Sequence, residues 1–240
     1  MKRRPGPFRF VIAIVAFYAF VYGLALSPPA PGTRPRLRNA PVVNGATDSL
    51  PDPDPESLPA EPPPGIAWSL IPPLPASLVP VAGQVLRPET REWQFIVVHH
   101  SGGTSGNAAE FDKMHREVNG WEHGLGYHFV VGNGTGSVAG GIEVGGRWIS
   151  QLHGAHAGAK ATGYNQHGIG ICVVGNYEEG EFPEAIYAGL RDLSVWLARR
   201  YAISPDRILP HREVRGEPTD CPGKNFPLDR LRADVAEALK

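Results

Sequence analysis

The side chains best suited to chemistry in this 240-residue chain are nine histidines and two cysteines, and all of them lie beyond Thr90. Histidine is the commonest metal ligand, yet a lone histidine is more often a satisfied polar group. No local ligand pattern such as H-E-x-x-H occurs, so any metal site must be assembled from distant segments. Cys172 falls in the apolar run Ile169–Val174 and reads as a buried strand thiol. Cys221 falls in the turn Thr219-Asp220-Cys221-Pro222-Gly223, where packing explains it poorly. Two cysteines are too few for a disulfide framework, although one bridge between them is open to an exported domain. Position marks other residues as structural. His100 faces away from His99 along a strand, and His128 faces away from Tyr127. His115 belongs to the apolar face of a helix, and Arg147 reads as a surface or ion-pair residue.

Several short elements must position these groups. Phe95–Val98 is a continuous apolar run, read as a buried strand that delivers His99 at its end. Asn107, with Glu110 three residues on, resembles a capping box and starts a helix over Ala108–Val118. Tyr127–Val131 is the next strand, leading into a hairpin-like turn at Gly132–Gly136. A further short strand is expected within Gly140–Gln151. Ile169–Val174 is the most hydrophobic strand and should be central. Pro183 opens a long helix with Ile186, Leu190, Leu193, Leu197 and Tyr201 on one face. Ile208-Leu209 leads into His211, and Leu228, Leu231, Val235 and Leu239 stripe a terminal helix. Mixed strands and helices define an α/β or α+β domain around one sheet.

Composition separates that domain from the N-terminal part of the chain. Of 25 prolines, 17 lie between Ser27 and Thr90. Residues 27–90 therefore read as a proline-rich, disordered linker, in which Ile66–Ile71 is an apolar patch able to dock on a domain. Before it, Lys2, Arg3, Arg4 and Arg9 precede the uncharged run Phe10–Leu26. Residues 1–26 thus form a membrane anchor or a cleaved signal segment, with an N-in orientation that exports the linker and the domain. No cysteine lies nearby, which excludes a lipoprotein. The domain at 91–240 carries 15 Lys/Arg against 18 Asp/Glu, a net of −3, which argues against a nucleic-acid partner.

The motifs are more informative in order than singly. They run Ile96-Val97-Val98-His99-His100-Ser101, Gly120-Trp121, Gly126-Tyr127-His128-Phe129 and Gly154-Ala155-His156-Ala157. Next come Gly163-Tyr164-Asn165, Gly168-Ile169-Gly170-Ile171, Val174-Gly175-Asn176-Tyr177 and His211-Arg212-Glu213-Val214, before the Thr219–Gly223 turn. The series resembles the type 2 N-acetylmuramoyl-L-alanine amidases, the family of phage lysozyme-like amidases and animal peptidoglycan recognition proteins. The resemblance spans roughly Arg91 to Pro227.

That resemblance implies a single central mixed β-sheet flanked by helices, and a zinc site held by His99, His211 and Cys221. Two imidazoles and a thiolate suit Zn²⁺ and leave a fourth position for water, as in catalytic sites. It implies a zinc-dependent hydrolase of the amide between N-acetylmuramic acid and L-alanine, with Tyr127 as catalytic hydrogen-bond donor. Thr219 occupies a second catalytic position, where phage members carry lysine and active recognition-protein amidases carry threonine. His156 and Asn165 match segments that border the substrate groove, and Glu143 is a candidate acid only by region. The implied partner is peptidoglycan, met by a monomer on the exported side of the inner membrane. The competing reading is a non-catalytic peptidoglycan receptor, a class that characteristically loses the metal cysteine. A third is an interaction domain stapled by Cys172 and Cys221, which leaves the histidines unexplained.

Overall fold

A computed structural model describes residues 74–86, 91–214 and 218–240. The N-terminal hydrophobic run, most of the proline-rich stretch and the Ile66–Ile71 patch lie outside the described residues. Among the described residues, no helix is long and apolar enough to cross a membrane.

Five strands form one mixed sheet. They are β1 (Phe95–His100), β2 (Phe129–Val131), β3 (Ile142–Val144), β4 (Gly168–Val173) and β5 (Ile208–Pro210). Their order is β3-β2-β4-β1-β5, so the most hydrophobic run is the central strand, as its composition predicts. β1 and β4, β1 and β5, and β2 and β4 pair in parallel, whereas β3 runs antiparallel to β2. Continuous apolar runs suit parallel strands covered on both faces. The pairing His99↔Cys172 and Val130↔Cys172 puts these three on one face with Val97 and Gly170. Ile96, Val98, Phe129, Val131, Ile169, Ile171 and Val173 fill the opposite face.

That opposite face carries the main core. The helices are α1 (Ala82–Val85), α2 (Ala108–Glu117), α3 (Gly146–Ile149), α4 (Thr162–His167), α5 (Glu184–Tyr201), α6 (His211–Val214) and α7 (Leu228–Ala238). α5 brings Ile186, Tyr187, Leu190, Leu193, Trp196 and Leu197 to the sheet, and α7 adds Leu228, Leu231 and Val235. The expected cap of α2 forms, with the Asn107 side chain accepting from the Glu110 amide at 2.9 Å. The Glu143 carboxylate accepts from the Ala108 amide at 2.6 Å, in the first turn of α2.

Two expectations need correction. The linker does not extend to residue 90 as unstructured chain. A 3-10 turn at Ala76–Val81 leads into α1, and Leu78 and Val85 are fully buried in the main core. Proline density masked this segment, because Pro75 sits at the cap and Pro80 inside a 3-10 turn tolerates the missing amide. The second correction is Arg147, which is not a surface residue. It is fully buried, and its Nε and Nη1 donate to the carbonyls of Leu125 and His153 at 2.9 and 2.8 Å. α3 is a single turn, too short to show the periodicity that marks a buried face.

Candidate metal centre

The centre lies on the sheet face opposite the main core, at the carboxyl ends of the parallel strands. β1 delivers His99, with 1% of its surface exposed. β5 ends at Pro210, and the chain turns directly into α6 with His211 as its first residue. Because β5 is parallel to β1, His99 and His211 emerge at the same end of adjacent strands. Their rings lie 4.4 Å apart, centre to centre. Cys221 lies at the same place, anchored by the Arg212 amide donating to the Cys221 carbonyl at 2.8 Å.

One ligand atom each from His99, His211 and Cys221 lies within 4.8 Å of the others, the one such group among the described residues. Burial holds the His99 imidazole well below its ordinary range, with His211, His156 and His100 adding to the effect. His211 is lowered to about 4, first by burial and then by His100. Both rings are therefore neutral near pH 7 and keep a lone pair to give. Burial pushes the Cys221 thiol up to about 12, against the pull of the His100 backbone. The His100 amide donates to Cys221 Sγ at 3.2 Å. Two neutral imidazoles and a sulfur already receiving a hydrogen bond, gathered from three segments, fit Zn²⁺.

The remaining expected residues surround this group. The Tyr127 ring lies 5.1 Å from that of His99 and 6.5 Å from that of His156. Tyr127 sits in a bend just before β2 rather than within the strand. It hydrogen-bonds the Cys172 thiol, which burial raises well above its usual range. Thr219 accepts from the Cys221 amide through Oγ1 at 3.2 Å. A hydroxyl that accepts can still donate, so its proton is available to an oxygen above the site. Cys172 and Cys221 are both free, so the chain has no bridge between them.

His156 and Asn165 stand differently from expectation. Both are buried, at 6% and 7% exposure. Asn165 Oδ1 accepts from the amides of His156 and Ala157 at 2.9 and 2.8 Å, and its Nδ2 donates to the Gly158 carbonyl. The amide thereby shapes the 156–158 loop. The His156 ring, lowered to about 3 chiefly by burial, lies against His99 with 3.1 Å between Nδ1 and His99 Nε2. Sequence spacing gave no sign of this contact, since 57 residues separate the pair. His128 and His115 are structural as expected. Each accepts a backbone amide through Nδ1, from Gly170 at 2.9 Å and from Gly126 at 3.1 Å.

Comparison with known proteins agrees with this geometry. The family model described as N-acetylmuramoyl-L-alanine amidase matches residues 89–224. Human N-acetylmuramoyl-L-alanine amidase is 32% identical over 150 residues, covering 58% of this chain and 23% of the human protein. The chain thus spans less than a quarter of that relative. Peptidoglycan-recognition protein SC2 of Drosophila simulans is 33% identical over 141 residues, 55% of this chain and 69% of its own. Among solved structures, the endolysin amidase LysCS of Clostridium intestinale superposes with a TM-score of 0.51 at 29% identity. That match covers 61% of this chain and 85% of LysCS.

Proposed function

The chain belongs to the N-acetylmuramoyl-L-alanine amidase family, and from that premise we propose a zinc-dependent hydrolase of bacterial peptidoglycan. The bond cut is the amide between N-acetylmuramic acid and L-alanine. The observation that carries this reading is the convergence of His99, His211 and Cys221 at one end of β1 and β5. When bound, zinc supplies a Lewis acid that polarises the amide carbonyl and acidifies water to a pKa of about 7.

The chain's own groups supply the rest. His99 and His211 present neutral lone pairs, and Cys221 presents its sulfur, so the site is built to hold a cation. Tyr127, beside His99, donates a hydrogen bond to the carbonyl oxygen as negative charge grows there. Thr219 is held beside Cys221 and offers a second, weaker donor. Glu143 spends one carboxylate oxygen on the Ala108 amide at the start of α2.

The receptor reading is favoured by the recognition-protein relatives and opposed by the presence of Cys221. Mass spectrometry of muropeptides after digestion with the purified, zinc-loaded protein separates the two. Release of free stem peptides beginning with L-alanine is the expected result. Binding to peptidoglycan with no release under any condition would overturn the hydrolase. We further propose that the protein works outside the inner membrane, because Lys2, Arg3, Arg4 and Arg9 precede Phe10–Leu26. A reporter fused after Lys240 should be active only in the exported compartment, and cytoplasmic activity would refute the placement.

A further inference from the structure

We propose that His156 is a positioning residue that decides which nitrogen of His99 faces the metal. The inference rests on the reading of His99, His211 and Cys221 as a zinc centre. It starts from an acceptor that cannot change role. The Gly168 carbonyl lies 3.1 Å from His156 Nε2, and a carbonyl oxygen only accepts, so His156 Nε2 carries the hydrogen. In the neutral ring, His156 Nδ1 then holds a lone pair. That nitrogen lies 3.1 Å from His99 Nε2, which must therefore be the donor. His99 Nε2 is an N–H, and the lone pair of the His99 ring is left on Nδ1. A doubly protonated His156 would place a positive charge against a ring that is to hold a cation. Flipping His156 would put carbon at both contacts and lose both hydrogen bonds.

The relay is held rigidly. A Cβ at Gly154 would come within 2.3 Å of the His156 ring, and one at Gly170 within 2.4 Å. The two glycines leave space that only this ring fills. The His156 amide is fixed by Asn165 Oδ1 at 2.9 Å, so backbone and ring are both anchored. His156 itself contributes no atom to the cluster of ligand atoms. Its effect passes through His99, in the manner of the partners that orient metal-bound imidazoles. Asn165, within α4, and Gly168, at the start of β4, thus become part of the support for a ligand on β1.

Nitrogen-resolved NMR of the histidine side chains tests the assignment directly. In metal-free protein His99 Nε2 should appear as a protonated nitrogen and Nδ1 as an unprotonated one. The variants His156→Asn and His156→Gln sharpen the test, because Asn Oδ1 replaces the acceptor Nδ1 and Gln replaces only the Nε2 end. Zinc affinity by chelator competition should fall about 10- to 100-fold in His156→Gln and His156→Ala, and should recover largely in His156→Asn. His99 found in the opposite tautomer, or equal zinc affinity in folded Asn and Gln variants, overturns the proposal. Should His156→Ala fail to fold, the Asn/Gln contrast and the wild-type spectrum still decide. Wild-type protein that takes up zinc but cuts no peptidoglycan overturns the hydrolase reading and leaves this one standing. Protein that takes up no zinc overturns both.

Discussion

Cys221 separates catalysis from binding in a single side chain. Its sulfur is buried, faces His99 and His211, and receives the His100 amide. Serine nearly matches its shape but stays protonated, so it is a far poorer zinc ligand. Cys221→Ser should therefore lose zinc and hydrolysis together, while binding to insoluble peptidoglycan in a pull-down stays within a few-fold. Retained zinc and activity would show that Cys221 is not a ligand. Tyr127 is tested by kinetics instead of metal content. Removing one hydrogen-bond donor to a developing oxyanion typically costs about 10²-fold or more in kcat. Tyr127→Phe should show that loss with little change in KM, and an unchanged kcat would make Tyr127 a packing residue. This substitution also removes the contact with the buried Cys172 thiol, and sulfur is a weak hydrogen-bond partner, so the wild-type fold should survive.

At the scale of elements, long periodic segments were legible and single turns were not. β4 announces a central strand by its unbroken apolar run, and α5 announces a core-facing helix by its period over 18 residues. α3 and the 3-10 turn at Ala76–Val81 offer four and six residues, too few to show a period. The site divides in the same way. His99, His211 and Cys221 follow from the family resemblance that the ordered motifs carry, since no local spacing joins them. The contact of His156 with His99 depends on two glycines in separate segments, which no local pattern links. The N-terminal segment gives this a measurable consequence. Leu78 is fully buried and shares the core of α5, while Ser77 donates to Asp192 at 3.0 Å. Leu78→Ala should cost about 2–5 kcal/mol in urea denaturation, the range for a leucine truncated in a packed core. Zinc content should be unaffected, because the segment lies on the face away from the centre. A loss below about 0.5 kcal/mol, far under that range, would show that residues 74–86 are an attached arm and not part of the fold.

For the whole molecule, burying several neutral imidazoles ties stability to pH. His211 is lowered to about 4 and His156 to about 3 from 6.5, with His99 and His128 also well below it. Below pH 6.5 the unfolded chain binds protons that the folded protein refuses, so stability falls as pH drops toward 4. Above 6.5 that contribution is fully present. Cys221 sets the other limit, since its thiol is raised to about 12 from 9.0. Between these values the folded protein holds a proton that the unfolded chain has released, so stability falls as pH rises past 9. Each group adds a slope of at most about 1.4 kcal/mol per pH unit, and the histidines act together on the acid side. Metal-free protein should therefore show its highest urea midpoint between about pH 6.5 and 9, with the steeper decline toward acid. Zinc changes the balance because it takes the thiolate and neutral imidazoles, releasing the thiol proton. The gain in melting temperature on adding zinc should thus be larger at about pH 8 than at about pH 6. A urea midpoint equal at about pH 5 and pH 7.5 in metal-free protein would mean that these histidines are not buried neutral. An equal zinc-induced gain at the two zinc conditions would mean that no proton leaves the site when the metal enters.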